Sequence, residues 1–202
     1  MRPTRIRTAS IVAATVAAAL GLGACSGGSS DDADPKASAT ATAPKGFDVP
    51  AGVTLTDGGT SLAQGKPATV VYQVGDAAAS AVTVTVTRVK KGSIDDFRFF
   101  SLDAETKKSA PYYVSVTVKN EGPAGLGGGA LPVYAHDSSN TNLPANDIVG
   151  TFKPCRSSKL PKSFLPGSDA KLCLVYLVPK GRKLQSIALQ TDAKAEPISW
   201  NP

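Results

Sequence analysis

Histidine, aspartate and serine occur side by side at one point of the chain, and these are the residue types of hydrolytic catalysis. His136, Asp137 and Ser138 are consecutive, and His136 is the only histidine in the 202 residues. A catalytic triad needs three side chains that converge, whereas adjacent side chains point in different directions. The sequence also contains no GxSxG elbow. We therefore expect His136 to flank a turn on the surface.

The same segment, 136–142 (HDSSNTN), offers oxygen atoms that could bind calcium. The candidate ligands are Asp137, Ser139, Asn140 and Asn142. A calcium loop carries more acidic residues and a terminal glutamate, which this segment lacks. An Asx turn, in which an Asp or Asn side chain bonds the backbone two residues on, explains the composition better.

Asp95 and Asp96 are a second carboxylate pair. On an extended chain adjacent carboxylates face opposite ways, so they make a poor acid and base pair. Copper or haem would need Met, His or Cys ligands, and the only methionine is the initiator. We expect no cofactor and no metal. The enzymatic alternative is a small envelope hydrolase whose site is assembled from separate loops, with His136 and Asp95 as participants.

The net charge of +6 is concentrated at the start of the chain. Arg2, Arg5 and Arg7 supply half of it, and the remaining Lys and Arg form no stripe interleaved with aromatic residues. This composition gives no indication of nucleic-acid binding. The loop 151–169 has a local basic character, and it is either a contact surface for an anionic partner or a solvated loop. Its four basic residues are Lys153, Arg156, Lys159 and Lys162.

The N-terminal segment 1–24 is predicted to be an export signal. Its three arginines precede an uncharged, alanine-rich run over residues 9–24. That order is typical of the n-region and h-region of a signal peptide. The run has sixteen residues, fewer than the roughly 20 that a stable membrane span needs.

Cys25 follows this run directly. Leu22, Gly23, Ala24 and Cys25 resemble the lipobox of bacterial lipoproteins. The two small residues would fit the narrow cleft of a membrane peptidase, and the thiolate would form the thioether to diacylglycerol. The resemblance implies a mature chain that begins at Cys25 and is held by acyl chains on the extracytoplasmic face of the cell membrane.

The next segment, 25–46, is predicted to be a flexible linker. Residues 26–45 contain no Leu, Ile, Val, Phe, Tyr or Trp, so they cannot bury a hydrophobic core. We expect a lipidated, disordered tether that leads to a single domain over residues 47–202.

Alternating apolar and polar residues predict that this domain is an all-β sandwich. Residues 81–89 place Val82, Val84 and Val86 on one face, and Val89 falls out of phase, which indicates either a bulge or the end of the strand. Residues 94–107 are the best helix candidate, with one turn, although Phe97, Phe99 and Phe100 fit an extended segment as well. The other predicted strands are 53–55, 68–74, 111–120, 130–135, 170–178, 184–190 and 196–200.

Cys155 and Cys173 remain after Cys25 is assigned to the anchor. An exported chain meets oxidising conditions, so a disulfide between them is the expected state. It would close a separation of 18 residues and constrain the unfolded chain by about 3 kcal/mol. A metal or redox pair is the alternative, although the CxxC spacing is missing.

The order of strand segments resembles a bacterial family of secreted and lipid-anchored immunoglobulin-like proteins of unknown function. That family includes a mycobacterial immunoprotective antigen. The likeness covers about residues 50–200 and is carried by "AVTVTVTRVKKG", "YYVSVTVKNEG" and "AKLCLVYLVPKG". It implies an immunoglobulin-like sandwich and no catalytic residues. We therefore expect a membrane-anchored binding module with an envelope or cell-wall partner, or alternatively an envelope structural or chaperone-like protein.

Overall fold

The computed structural model describes residues 43–74, 78–156 and 158–202. The predicted signal segment, Cys25 with its lipobox and the linker before residue 43 therefore lie outside the described residues. The strands of the described part, numbered in chain order, are β1 Ser61–Ala63, β2 Pro67–Val74, β3 Ala78–Lys91, β4 Ala110–Pro123, β5 Val133–Asp137, β6 Asn142–Pro144, β7 Asp169–Val178, β8 Leu184–Leu189 and β9 Ile198–Asn201. Two 3-10 helices, Ile94–Phe97 and Thr106–Lys108, lie between β3 and β4. Among these residues, no helix has the length and apolar character that a membrane crossing requires.

The strands form two sheets that enclose the main hydrophobic core. One sheet has the antiparallel order β2-β3-β4-β7. The other has the order β1-β9-β8-β5-β6, and its β1–β9 pair is parallel. Valines of β3 and β4 meet Val133, Ile187 and Trp200 of the second sheet in one cluster. The predicted all-β, two-sheet architecture is confirmed.

The period-two pattern of β3 decides which of its faces is buried. Val82, Val84 and Val86 are all buried in the core. Val86 pairs with Val116 of β4, and Arg88 pairs with the preceding residue, Ser115. Thr87 therefore has no partner on β4. This bulge shifts the alternation by one residue, so Val89 also turns toward the core. The predicted bulge is confirmed.

Two large aromatic side chains fix the sheets to each other. Trp200 is fully buried, and its Nε1 donates a 2.8 Å hydrogen bond to the carbonyl oxygen of Lys66. Tyr176 of β7 is also buried, and its hydroxyl donates a 2.8 Å hydrogen bond to the carbonyl oxygen of Val133. Each ring thus buries a large apolar area while its polar atom finds a partner.

Two strand predictions need correction, and two short strands were missed. Residues 53–55 form no strand; just after them, Thr56 N donates to the Thr69 carbonyl of β2, and Thr56 Oγ1 accepts from Thr69 N. Strand β5 begins at Val133, not at residue 130, since Pro132 cannot donate to a ladder. The three-residue strands β1 and β6 were not predicted, because such short strands depend on partners distant in sequence.

Candidate functional site

Two loops build a second, smaller hydrophobic cluster on the outer face of the four-stranded sheet. We call residues 94–102 and 146–155 the loop lobe. Phe97 from the first loop stacks on Phe152 from the second, with ring centroids 4.6 Å apart. Tyr113 of β4 and Val175 of β7 provide the sheet side of this cluster. The lobe is therefore a packed extension of the sandwich.

A disulfide fastens the lobe to β7. Cys155 lies in the second loop and Cys173 in the strand, with an S–S distance of 2.02 Å and a Cα–Cα distance of 5.2 Å. The predicted pairing is confirmed. The link joins the irregular chain before β7 to the outer face of the sheet, so the basic residues that flank Cys155 are held near that face.

The alternating pattern of residues 111–120 predicts that Tyr113 faces water, opposite Val114, but in the structure Tyr113 is buried. The lobe covers its ring, and its hydroxyl donates a 2.7 Å hydrogen bond to Asp96 Oδ2. Burial, and then the hydrogen bond and negative charge of Asp96, raise the pKa of the phenol. Gly92 makes room for the ring, because a Cβ there would lie 2.5 Å from Tyr113 Cζ.

The first 3-10 helix places Asp95 and Asp96 in a capping arrangement. The Ser93 hydroxyl accepts from Asp95 N, and Ser93 N donates to Asp96 Oδ2. Both carboxylates thus hold the local turn. The prediction of one helical turn in this region is confirmed, and a second short turn follows it in the chain.

His136 and Asp137 lie on the other sheet and have separate partners. His136 Nδ1 is 2.9 Å from Asn142 Oδ1 on β6. The buried Asp137 carboxylate accepts from the backbone N–H groups of Ser139 and Thr141 and from Arg182 Nη1 at 3.0 Å. The predicted Asx turn is confirmed, and Asp137 is buried where a surface turn was expected.

The Asp137 environment favours an ionised carboxylate. Burial by itself would raise the pKa of this group, but the Arg182 hydrogen bond and the two backbone donors outweigh it and lower the pKa. His136 is on the five-stranded sheet, whereas Asp95 is on the lobe outside the four-stranded sheet. The structure does not bring these two proposed catalytic participants together.

The four predicted basic contact residues have different surroundings. Lys159 forms a 2.9 Å ion pair with Asp147, both well exposed. Lys162 follows the buried Leu160, and its backbone carbonyl abuts Gly127. Lys153 is exposed on the lobe, and Arg156 lines a depression on the sheet face. Of the four, Arg156 lines this depression, and the contact surface formed by all four residues stays a prediction.

That depression, which we call the outer-face groove, has a volume of about 300 Å³. Its floor includes the hydroxyl-bearing residues Thr87, Ser115 and Thr117, while Arg156 and Lys171 add two cations. Cys173 lies beside them, so the disulfide forms part of the wall. Polar hydroxyls and cations together can bind anionic groups.

Strand register adds a further cation to this surface. Arg88 pairs with Ser115, and Ser115 pairs with Cys173 on the next strand. Thr117 pairs with Lys171 in the same way. Directly paired residues share a face, so Arg88 lies on the face that bears the groove. Sequence spacing alone could not reveal this set, because its members come from three strands and a loop.

The net charge of the domain is concentrated in two segments of the chain. Segments 88–108 and 146–162 contain ten Lys or Arg and five Asp or Glu, which is a net +5. The rest of residues 43–202 contains eight of each sign and is neutral.

The acidic residues of these two segments are engaged locally. Each has a hydrogen-bond or ion-pair partner: Asp95 with Ser93, Asp96 with Tyr113, Asp103 with Thr106, Glu105 with Lys108, and Asp147 with Lys159. Of the ten basic residues, only Lys108 and Lys159 form ion pairs within the described part of the chain. The remaining cations are available to an external anion.

The long sheet edges are partly covered. On β2, Thr56 Oγ1 accepts from Thr69 N, and Thr56 N donates to the Thr69 carbonyl. On β7, Asn146 N donates to the Val175 carbonyl, and Asn146 Oδ1 accepts from Leu177 N. These contacts block the addition of a further strand there, so the sheet face is the better candidate for binding.

The described surface also has other depressions, two of which bear on the choice of site. One, of about 270 Å³, is lined by Tyr72, Tyr134 and Asp147 among others. The other lies on the lobe beside Phe97 and Arg98. The lobe depression is lined by Arg98 and Lys107, two cations without an ion pair in the described residues, but also by Asp95, whereas no acidic residue lines the outer-face groove. Within the described ranges, no group of three or more His, Cys, Asp and Glu side chains is placed to hold a metal.

Comparisons with models of protein families, with curated proteins and with solved structures found no match to this chain.

Proposed function

We propose that this protein is a lipid-anchored, extracytoplasmic binding module with an immunoglobulin-like sandwich and no enzymatic activity. The observation that carries the proposal is the surface arrangement of the sandwich. Segments 88–108 and 146–162, which include the disulfide-fastened lobe, hold the net charge of the domain, and eight of their ten cations have no ion-pair partner within the described residues.

The location part of the proposal is supported by two independent features. Leu22-Gly23-Ala24-Cys25 ends a signal-like segment, and the Cys155–Cys173 disulfide suits an oxidising compartment. Two acyl chains would hold the chain at the membrane stably, whereas one chain gives only marginal binding. The linker would then let the domain reach nearby envelope components.

The anchor is tested by expressing the full chain in a bacterium and measuring the mass of its mature N-terminal peptide. We expect a peptide that begins at Cys25 and carries a diacylglyceryl group, with the protein in the membrane fraction. The matched Cys25→Ser variant should be unacylated. A cut at another residue, or an unmodified Cys25 in the membrane-bound protein, would contradict the proposal.

The binding role is tested by a photo-crosslinking amino acid placed at Lys171, with Ser139 in the β5–β6 turn as the control position. A specific envelope component should be captured from intact cells at Lys171 and not at Ser139.

The enzymatic alternative is tested with the variant His136→Ala. If the wild type has a hydrolytic activity and this variant loses it while remaining folded, the proposal that the protein is not an enzyme would be overturned.

A further inference from the structure

From the outer-face groove we infer that the sandwich binds a phosphate-bearing polymer with a polyol or sugar backbone. This inference deepens the proposed function and rests on it, because such polymers occur where an extracytoplasmic domain would meet them. The site consists of Arg156 and Lys171, which line the groove together with three hydroxyl-bearing residues, and of Arg88, which lies on the same sheet face.

The three cations supply the charge recognition. The side chains of Arg88, Arg156 and Lys171 are exposed, and none forms an ion pair within the described residues. Arg156, which follows the lobe in the chain, and Lys171 of β7 line the groove, while Arg88 of β3 lies on the same sheet face through its pairing with Ser115. Guanidinium groups bind phosphate oxygens in bidentate fashion, and lysine adds a point charge.

The floor suits the polymer backbone. Thr87 Oγ1 donates a 3.1 Å hydrogen bond to the Ser115 carbonyl, which orients this hydroxyl and leaves its oxygen free to accept. Ser115 and Thr117 place two more hydroxyls on the same face. Hydroxyls of this kind exchange hydrogen bonds with the hydroxyls of a polyol or sugar.

The outward row continues past the groove along the strands. Thr83 pairs with Lys119, and Lys119 forms a 2.9 Å ion pair with Glu121. The free cations therefore end before Lys119, which limits the anionic contact to a short stretch of polymer. Small molecules bind mostly in enclosed cavities. Because the groove is open, we expect its ligand to be a chain that lies across the sheet.

The same positive charge could draw the domain to an anionic bilayer. The lobe provides a way to distinguish binding to a bilayer from binding to a polymer. Phe99 and Val149 are 82% and 90% exposed. Membrane docking would use such protruding apolar side chains, whereas polymer binding in the groove would not.

The test is a fluorescence anisotropy titration of labelled poly(glycerol phosphate) with residues 43–202. This part contains both hydrophobic clusters and the disulfide, so it holds what is needed to fold. With three phosphate contacts, affinity should fall on the order of tenfold between 50 and 200 mM salt.

The variant Arg88→Gln/Arg156→Gln/Lys171→Gln should bind at least about tenfold more weakly, since three charge contacts are lost. The control Lys180→Gln/Lys183→Gln/Lys194→Gln removes the same charge away from the groove and should bind almost as the wild type does. Circular dichroism and the thermal midpoint check that both variants are folded.

Three results would overturn the inference. One is equal weakening by the two triple variants, which would indicate unspecific attraction. Another is equally tight binding to uncharged dextran. The third is equally tight binding to phosphatidylglycerol vesicles that is lost in Phe99→Ser, which would indicate a bilayer surface. None of these results depends on Cys25. A failure of the lipid-anchor proposal can therefore be distinguished from a failure of the polymer-binding proposal.

Discussion

The Tyr113 hydroxyl donates a hydrogen bond to Asp96 Oδ2 and thereby links strand β4 to the 3-10 helix of the lobe. The ring is buried against Phe152 at a centroid distance of 5.6 Å. This one side chain contributes both apolar area and a polar contact to the lobe, and the lobe forms one side of the candidate binding region.

Tyr113→Phe should lower the free energy of unfolding by about 1 kcal/mol, because it removes one hydrogen bond and keeps the ring. Urea denaturation followed by tryptophan fluorescence measures this change. Hydrogen exchange should also be faster in residues 93–100 of the variant. Unchanged exchange there would contradict the role of Tyr113 as a link to the lobe.

The same variant should alter the dependence of stability on alkaline pH. Since folding raises the pKa of Tyr113, the unfolded chain releases the phenolic proton first, at about pH 10. The stabilising contribution is therefore complete below pH 10 and is lost as the pH rises above it. Tyr113→Phe should lose stability less steeply over this range, as urea midpoints between pH 9 and 11 would show.

Removing the disulfide should destabilise the domain by about 3 kcal/mol on the loop-entropy model. The double variant Cys155→Ala/Cys173→Ala avoids free thiols and keeps small side chains in the cluster. We expect a lower thermal midpoint and faster proteolysis between residues 146 and 160. Wild type treated with a reductant should approach the same midpoint, and a variant as stable as the oxidised wild type would argue against the bond.

Asn120 is a buried polar residue whose side chain joins several chain segments. Its Oδ1 accepts from the Ser80 hydroxyl and from Gly122 N, and its Nδ2 donates to the carbonyls of Ala124 and Phe164. Asn120→Ala should cost on the order of 3 kcal/mol, because these buried groups lose their partner.

The control for this substitution is Asn201→Ala. Asn201 is exposed and donates a single side-chain hydrogen bond, to the Ser61 hydroxyl. Chemical denaturation should show a loss below about 0.5 kcal/mol. Equal losses for the two variants would show that the burial of Asn120 has no special role.

Asp137→Asn should reduce the stability of the domain at neutral pH. The stability of the variant should also depend less on pH in the acid range. The pKa of Asp137 is lowered on folding, so its stabilising contribution is present above the unfolded pKa of about 4. That contribution is lost as the pH falls through the lower, folded pKa. The thermal midpoints of wild type and variant are measured at pH 7, 4 and 2.5. The difference between the two proteins should shrink as the pH falls, and a difference that stays constant would contradict this account.

The amino-acid sequence by itself determined the strand faces and the cysteine pairing. The alternation in β3 is a local, period-two property, so it predicts which valines are buried and where the bulge falls. The pairing of Cys155 with Cys173 was predicted on the expectation that the chain is exported and that Cys25 carries the anchor, and the structure confirms the pairing itself. The sequence also identified Arg156 as one member of the candidate site.

Only the tertiary structure decided the burial of Tyr113, Asn120 and Asp137 and the composition of the groove. Each of these side chains is covered or bonded by segments remote in the chain: by the lobe, by Ser80 and Phe164, and by Arg182. The groove likewise depends on the register that sets Arg88 beside Ser115 and Lys171 beside Thr117. Alternation assigns a residue to a face of its strand, but the pairing of strands and the packing of loops determine what that residue meets there.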